Sequence, residues 1–359
     1  MTSSRSSFAL ATTCAILFLA ASHDAAAHDD RDGRGERIAW SRYTLDRGAM
    51  QIVSARPDGS DLRVLTNAGD GTFDLDPKWS PDGSRLVFER DLPNGTAQIV
   101  VMRADGGGQR VLDTDCTAPC EADVSPTWAP DGHHVVFTRV IGPFDKPGES
   151  ATSAVLWIAD DDGRRARRLS QRGIDGAYED YQAHWAPDGS YIQFLRIRNE
   201  PFNSAVYRMR PNGTGVRQLT PWELDADVTD LSRTSSGPSK DRVVFETYGH
   251  GGQAQNIATV PTTCQTLASC EARIRYVTAN PADGTTNSTN PAWSPDGSRI
   301  AIAEWTVPAP GSPDDVDWFS DIFTIDPDGG QRRLVSQTAA WSLRPNWGVV
   351  TARAESSGW

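Results

Sequence analysis

Positive charge is scarce in this chain. There are 35 Lys and Arg against 47 Asp and Glu, a formal net charge of −12 over 359 residues. That excludes a nucleic-acid partner, because phosphate binding needs clustered cations. Long apolar runs are equally scarce. Residues 8–21, FALATTCAILFLAA, form the one candidate, and it is shorter than the roughly 20 residues that span a bilayer. The run follows Arg5 and precedes Ala25-Ala26-Ala27. Together these read as a secretory signal cut near Ala27, with an uncleaved anchor as the rival reading. Nothing later is apolar enough for membrane insertion. Catalytic signatures are missing too: there is no G-x-S-x-G elbow, no H-E-x-x-H and no P-loop.

Cysteine is also sparse. Beyond Cys14 in the apolar run, the chain has Cys116 and Cys120, then Cys264 and Cys270. Proximity favours two local disulfides, which suits an oxidising, exported location. A zinc site needs four convergent ligands. Here the two pairs lie far apart in sequence and no His accompanies either one.

What the chain does have is repetition. PKWSPDGSRLVFER at 77–90 returns as PAWSPDGSRIAI at 291–302. The anchor Trp-(Ser/Ala)-Pro-Asp-Gly occurs at Trp79, Trp128, Trp185 and Trp293; a degraded copy lies at Leu231 and a truncated one at Trp347. Copies are 46 to 62 residues apart, the length of one four-stranded propeller blade with its loops. Within a copy, the segment ending in Trp is a first strand and Pro-Asp-Gly is a turn. Pro presets φ, Asp bonds its own backbone, and Gly accepts positive φ. Runs such as RLVFER, AQIVVMR and QRVL supply strands two to four. The Trp is expected to pack between blades.

The start of the chain offers strands two to four with no first strand, and RPNWGVV near the end offers a first strand with nothing after it. The fold expected is therefore all-β: a six-bladed β-propeller of four-stranded antiparallel blades, closed by pairing of the N- and C-terminal strands. It spans residues 36–350, after the signal (1–27) and a short leader (28–35), and before a tail (351–359).

On these motifs the chain resembles the TolB-like β-propellers (the WD40-like PD40 repeat), whose units carry D-x-x-P-x-W-S-P-D-G. Asp74, Asp123 and Asp180 match the leading Asp, whereas Ser288 and Ser342 stand there in two other copies. TolB proper, which partners the lipoprotein Pal, has a further N-terminal α/β domain. The resemblance here is to the propeller alone.

Propeller geometry puts the Pro-Asp-Gly turns on one face and the crossovers on the other. Six crossovers between residues 67 and 344 hold fifteen acidic residues against Arg172 and Arg344, while Arg164, Arg165, Arg167 and Arg168 lie near the turn face. An acidic loop face is expected. It suits docking of a cell-envelope protein or a cationic ligand by a monomeric periplasmic or secreted scaffold. Asp74, Asp76, Asp123, Asp180, His184, Asp227 and Asp230 are the candidate binding residues. The leading Asp of each unit is read mainly as a turn-capping device. No cofactor is expected, although oxygen ligands at the channel mouth would admit a cation such as calcium. The alternatives are a carbohydrate-active lyase or glycosidase using paired carboxylates, or a cation-dependent binding protein.

Overall fold

Residues 35–142, 153–171, 177–248, 254–306, 319–336 and 340–350 are described by the computed structural model. The signal, nearly all of the leader, the tail and the long loops at 143–152 and 307–318 lie outside them, as do Arg172 and Asp175.

The elements are strands with one short helix. The motif strands are β4 (Phe73–Trp79), β8 (Cys120–Trp128), β12 (Tyr178–Trp185), β16 (Asp227–Leu231), β20 (Thr286–Trp293) and β24 (Ser342–Val350). Each pairs antiparallel with a second strand: β5 (Arg85–Asp91), β9 (His134–Ile141), β13 (Ile192–Asn199), β17 (Arg242–Thr247) and β21 (Ile300–Thr306) for the first five. The last, β24, pairs with β1 (Gly35–Thr44) from the other end of the chain, from Gly35↔Val350 to Arg42↔Ser342.

Third and fourth strands complete antiparallel units of four. The fourth strands are only two residues long, as at Arg63–Val64 and Arg110–Val111. Single parallel bridges, Met50↔Phe73 and Ala97↔Ala122, join three units into one twelve-stranded sheet. The other units are separate four-stranded sheets, and no sheet closes on itself.

The core lies between units. Ala39, Ile52 and Leu65 pack with Trp79, Leu86 and Phe88 of the next unit. Val87, Ile99 and Val101 pack likewise with Trp128 and Phe137. Equivalent clusters join each later pair, and one joins Ala301, Ala303 and Ile322 to Ile38, Trp40 and Trp347. Trp79, Trp128, Trp293 and Trp347 are buried, and Trp185 is half-buried. One unit cannot cover its own two apolar faces, so each repeat supplies the wall of its neighbour.

The Pro-Asp-Gly turn is braced as its chemistry requires. Ser80 Oγ donates to Asp82 Oδ1 (2.6 Å), the Ser84 N–H donates to the same oxygen (3.1 Å), and Gly83 adopts φ 68°. A Cβ on Gly83 would lie 1.7 Å from the Val349 carbonyl oxygen in β24. Gly83→Ala is therefore expected to cost roughly 2–4 kcal/mol through positive φ and overpacking, read as a fall in thermal midpoint. An unchanged midpoint would contradict this close approach.

Candidate functional site

Each motif strand carries one residue more than its partner. Leu75 to Lys78 faces only Glu89 to Val87, and the same shift recurs in β8, β12, β16, β20 and β24. This is a β-bulge. Its extra residue is left-handed every time: Asp76 (φ 51°), Ser125 (49°), Gln182 (50°), Val228 (31°), Asn290 (51°) and Arg344 (53°). Pro follows four of them, at a position where the ladder needs no N–H. Val228 is β-branched, so its backbone is strained.

The bulges turn two side-chain positions per unit toward a central cavity. Asp76, Gln182, Asn290 and Arg344 come from the bulge residues. Lys78, His184, Asp230 and Asn346 come from the residue before each Trp position. The cavity's volume is about 40 Å³, room for a few water molecules, and a cavity of about 260 Å³ shares Lys78, His184 and Asp230 with it. Its charges are mixed. Lys78 Nζ donates to Asp76 Oδ1 (2.6 Å), and His184 Nδ1 lies 3.1 Å from Asp230 Oδ1. Burial opposes ionisation of both carboxyls, yet Lys78 and Arg344 hold Asp76 below its ordinary range, and His184 and Arg233 do the same for Asp230.

Side chains also stitch several first strands to their neighbours. The Trp79 N–H donates to Asn346 Oδ1 (3.0 Å), the Trp293 N–H to Asp230 Oδ2 (2.7 Å), and the Arg344 N–H to Asn290 Oδ1 (3.2 Å). Two buried glutamates do similar work. The Ser125 N–H donates to Glu89 (2.9 Å) and the Asn290 N–H to Glu246 (3.2 Å); the Thr289 hydroxyl also donates to Glu246. Burial drives both carboxyls upward, and Glu246 reaches about 7 despite those donors.

The leading Asp of the motif has a different place. Asp74, Asp123 and Asp180 are fully buried, each opposite an Arg of the second strand. Arg90, Arg139 and Arg196 grip them in two-pronged pairs with nitrogen–oxygen distances of 2.6 to 2.9 Å. The sequence reading counted these carboxylates on the loop face without their partners. In the structure they are internal and neutralised, and no docking partner reaches them.

Asp227 is half-buried beside Glu246, its register partner, and accepts a bond from the Val228 N–H (2.8 Å). Asp70, Asp113, Asp115, Glu223, Asp225 and Asp283 stay exposed on the crossover side. Cys116–Cys120 and Cys264–Cys270 are both disulfides. Cys116 and Cys120 lie near Asp123 but offer no thiolate to a metal. Lys78, Arg344, Glu89 and Glu246 were not among the sequence candidates. Their signal was there: the residues one and three before each Trp, and the shared Val-Phe-Glu of VFER and VFET.

Repeated four-stranded units whose first strands converge on a polar cavity define a β-propeller repeat protein. The chain belongs to the TolB beta propeller domain family (PD40), which matches residues 33–276. Comparison with curated proteins found no significant match. Among solved structures the chain is similar to TolB from Acinetobacter baumannii: TM-score 0.62 and 18% identity, covering 87% of this chain and 66% of that one. It is also similar to the putative TolB from Agrobacterium tumefaciens (TM-score 0.57, 17% identity, 88% of this chain and 99% of that one). A third is the hydrazine synthase of Kuenenia stuttgartiensis (0.62, 13%, 89% and 47%). At these identities the likeness is one of fold. No helix among the described residues is long and apolar enough to cross a membrane.

Two outcomes follow from the buried charges. Arg139→Ala removes the buried arginine partner of Asp123, a loss of about 3–5 kcal/mol measurable by urea unfolding; a loss below about 1 kcal/mol would place the pair in solvent. Glu246 has a folded value near 7, above its ordinary 4.5. Its contribution is complete below the ordinary value and is lost as pH rises through about 7, a swing of about 3 kcal/mol. Glu246→Gln keeps an acceptor for both donors, so its stability should fall less than the wild type's between about pH 5 and pH 8. Identical pH profiles would contradict the burial.

Proposed function

We propose that this protein is an exported, non-enzymatic scaffold whose acidic crossover face docks a positively charged surface of a cell-envelope protein. The scaffold is a six-bladed ring, closed where β24 pairs with β1. Support for closure comes from that pairing and from the inter-unit clusters, the last of which links the final unit to the first. Export is favoured by the apolar run at 8–21 and by two disulfides.

The observation that carries the docking reading is the set of exposed carboxylates on the crossovers. On the crossover side Asp70, Asp113, Asp115, Glu223, Asp225 and Asp283 are exposed. Exposed arginines lie on the outer strands, at Arg110, Arg167, Arg168, Arg217, Arg275 and Arg333, and the turns carry exposed carboxylates of their own at Asp82, Asp131, Asp188 and Asp296. Exposed carboxylates attract a cationic partner and speed its approach. Cavity carboxylates already held by Lys78 and His184 give less support to a polysaccharide-cleaving enzyme. For the same reason no resident cation is invoked.

The test reverses exposed carboxylates only. Combined Asp70→Lys, Asp113→Lys and Asp115→Lys should keep the thermal midpoint and cut capture of the envelope partner about tenfold, as added salt should do for the wild type. Capture indifferent to both would sink the docking face.

A further inference from the structure

One unit departs from the repeat. Between β16 and β17 the chain has neither the Trp nor the Pro-Asp-Gly turn. Two insertions flank this unit instead. The crossover into β16 contains a 3-10 turn at Trp222–Leu224, ending in Asp225 with φ 46°. The link from β18 (Asn256–Pro261) to β19 (Arg275–Tyr276), elsewhere a tight turn, holds the helix α1 (Leu267–Glu271). A capping box of Thr266 and Ser269 starts α1, and the Cys264–Cys270 disulfide ties it down. The two insertions touch each other. Rigid departures from a repeat, built at the cost of a disulfide, are where binding sites are sought.

They enclose a groove of about 290 Å³. Its floor is apolar, from Leu224 and Ile274, and Tyr248 and Tyr276 stand at its edge, 51% and 46% exposed. Three carboxylates enter from two elements: Glu223 and Asp225 from the 3-10 turn and its cap, and Glu271 from α1. Asp225 is fixed by the Ser204 N–H (2.9 Å). Among the described residues no Lys or Arg lines the groove, and the nearby Arg273 is turned back onto Ser269 and Thr263.

Exposed apolar residues at the Tyr276 position are not special in themselves. Val64, Val111 and Leu334 occupy it in other units, half-exposed on short edge strands. What sets Tyr276 apart is a second aromatic ring, an apolar floor and acids converging on the same cleft.

We infer that this groove binds the basic side chain of a protein segment, a Lys ammonium or Arg guanidinium on its aliphatic stem. The stem lies on Leu224 and Ile274, the cation meets the tyrosine faces, and the carboxylates supply the counter-charge. This deepens the docking proposal and rests on it, by naming one anchor point on the acidic side.

The probe is a tetralysine peptide, titrated calorimetrically into the whole protein, with tetraglutamate as control. The wild type should bind tetralysine and not tetraglutamate. Tyr276→Ala and Glu271→Gln should each weaken binding about tenfold, and Tyr276→Phe should retain it, since the ring and not the hydroxyl is used. Far-ultraviolet circular dichroism and thermal midpoint check each fold. Wild type that fails to bind, or binding unchanged in Tyr276→Ala, overturns the groove. The Asp70, Asp113 and Asp115 reversal lies on other units and should leave tetralysine binding unaltered. If it abolishes binding as well, the attraction is general to the acidic face: the groove falls and the docking reading stands.

Discussion

The extra residue in each first strand is the constraint on which the rest depends. A bulge breaks the ladder at one point, frees backbone N–H groups, and aims two side chains at the centre. The freed groups are not left dry. Asn346, Glu89, Asp230, Glu246 and Asn290 reach across to backbone donors of the neighbouring unit. Left-handed backbone at six non-glycine residues carries a cost, greatest at Val228, and the inter-unit bonds and apolar clusters hold it in place. The same kink that lines the cavity therefore couples the units, and neither property survives without the other.

Carboxylates consequently fall into separate groups. Asp74, Asp123 and Asp180 tie a first strand to its own second strand through arginine. Glu89 and Glu246 tie one unit to the next and resist ionisation because they are buried. Asp76 and Asp230 stay charged in the cavity beside Lys78 and His184. What remains at the surface is the exposed set on the crossovers and on the Pro-Asp-Gly turns. A net charge of −12 is thus a poor guide to the surface that another molecule meets.

Much of the fold was legible in the sequence, because a repeat states its own period. Trp79, Trp128, Trp185 and Trp293 mark where first strands end, and Pro-Asp-Gly marks the turn that follows each. The incomplete units at the two ends foretold that β1 and β24 would pair. The two disulfides followed from proximity alone. The site was less legible for a physical reason. A charge count along a crossover cannot see a partner sixteen residues later on the adjacent strand, which is how Arg90, Arg139 and Arg196 escaped the tally. Nor does sequence announce a bulge. Asp76, Ser125, Gln182, Val228, Asn290 and Arg344 share a backbone conformation and almost no side-chain chemistry. The groove beside α1 was hidden in the same way, since Tyr248, Glu271 and Tyr276 meet only once the insertion folds back.

The account turns on which face meets the partner. The direct measurement is hydrogen–deuterium exchange of the free protein against the protein bound to the proposed envelope partner. Slowed exchange confined to the crossovers at 67–76, 113–121 and 221–227, with the Pro-Asp-Gly turns unchanged, is the predicted result. Slowed exchange at the turns around Gly83, Gly132 and Gly189, with the crossovers unchanged, would contradict it.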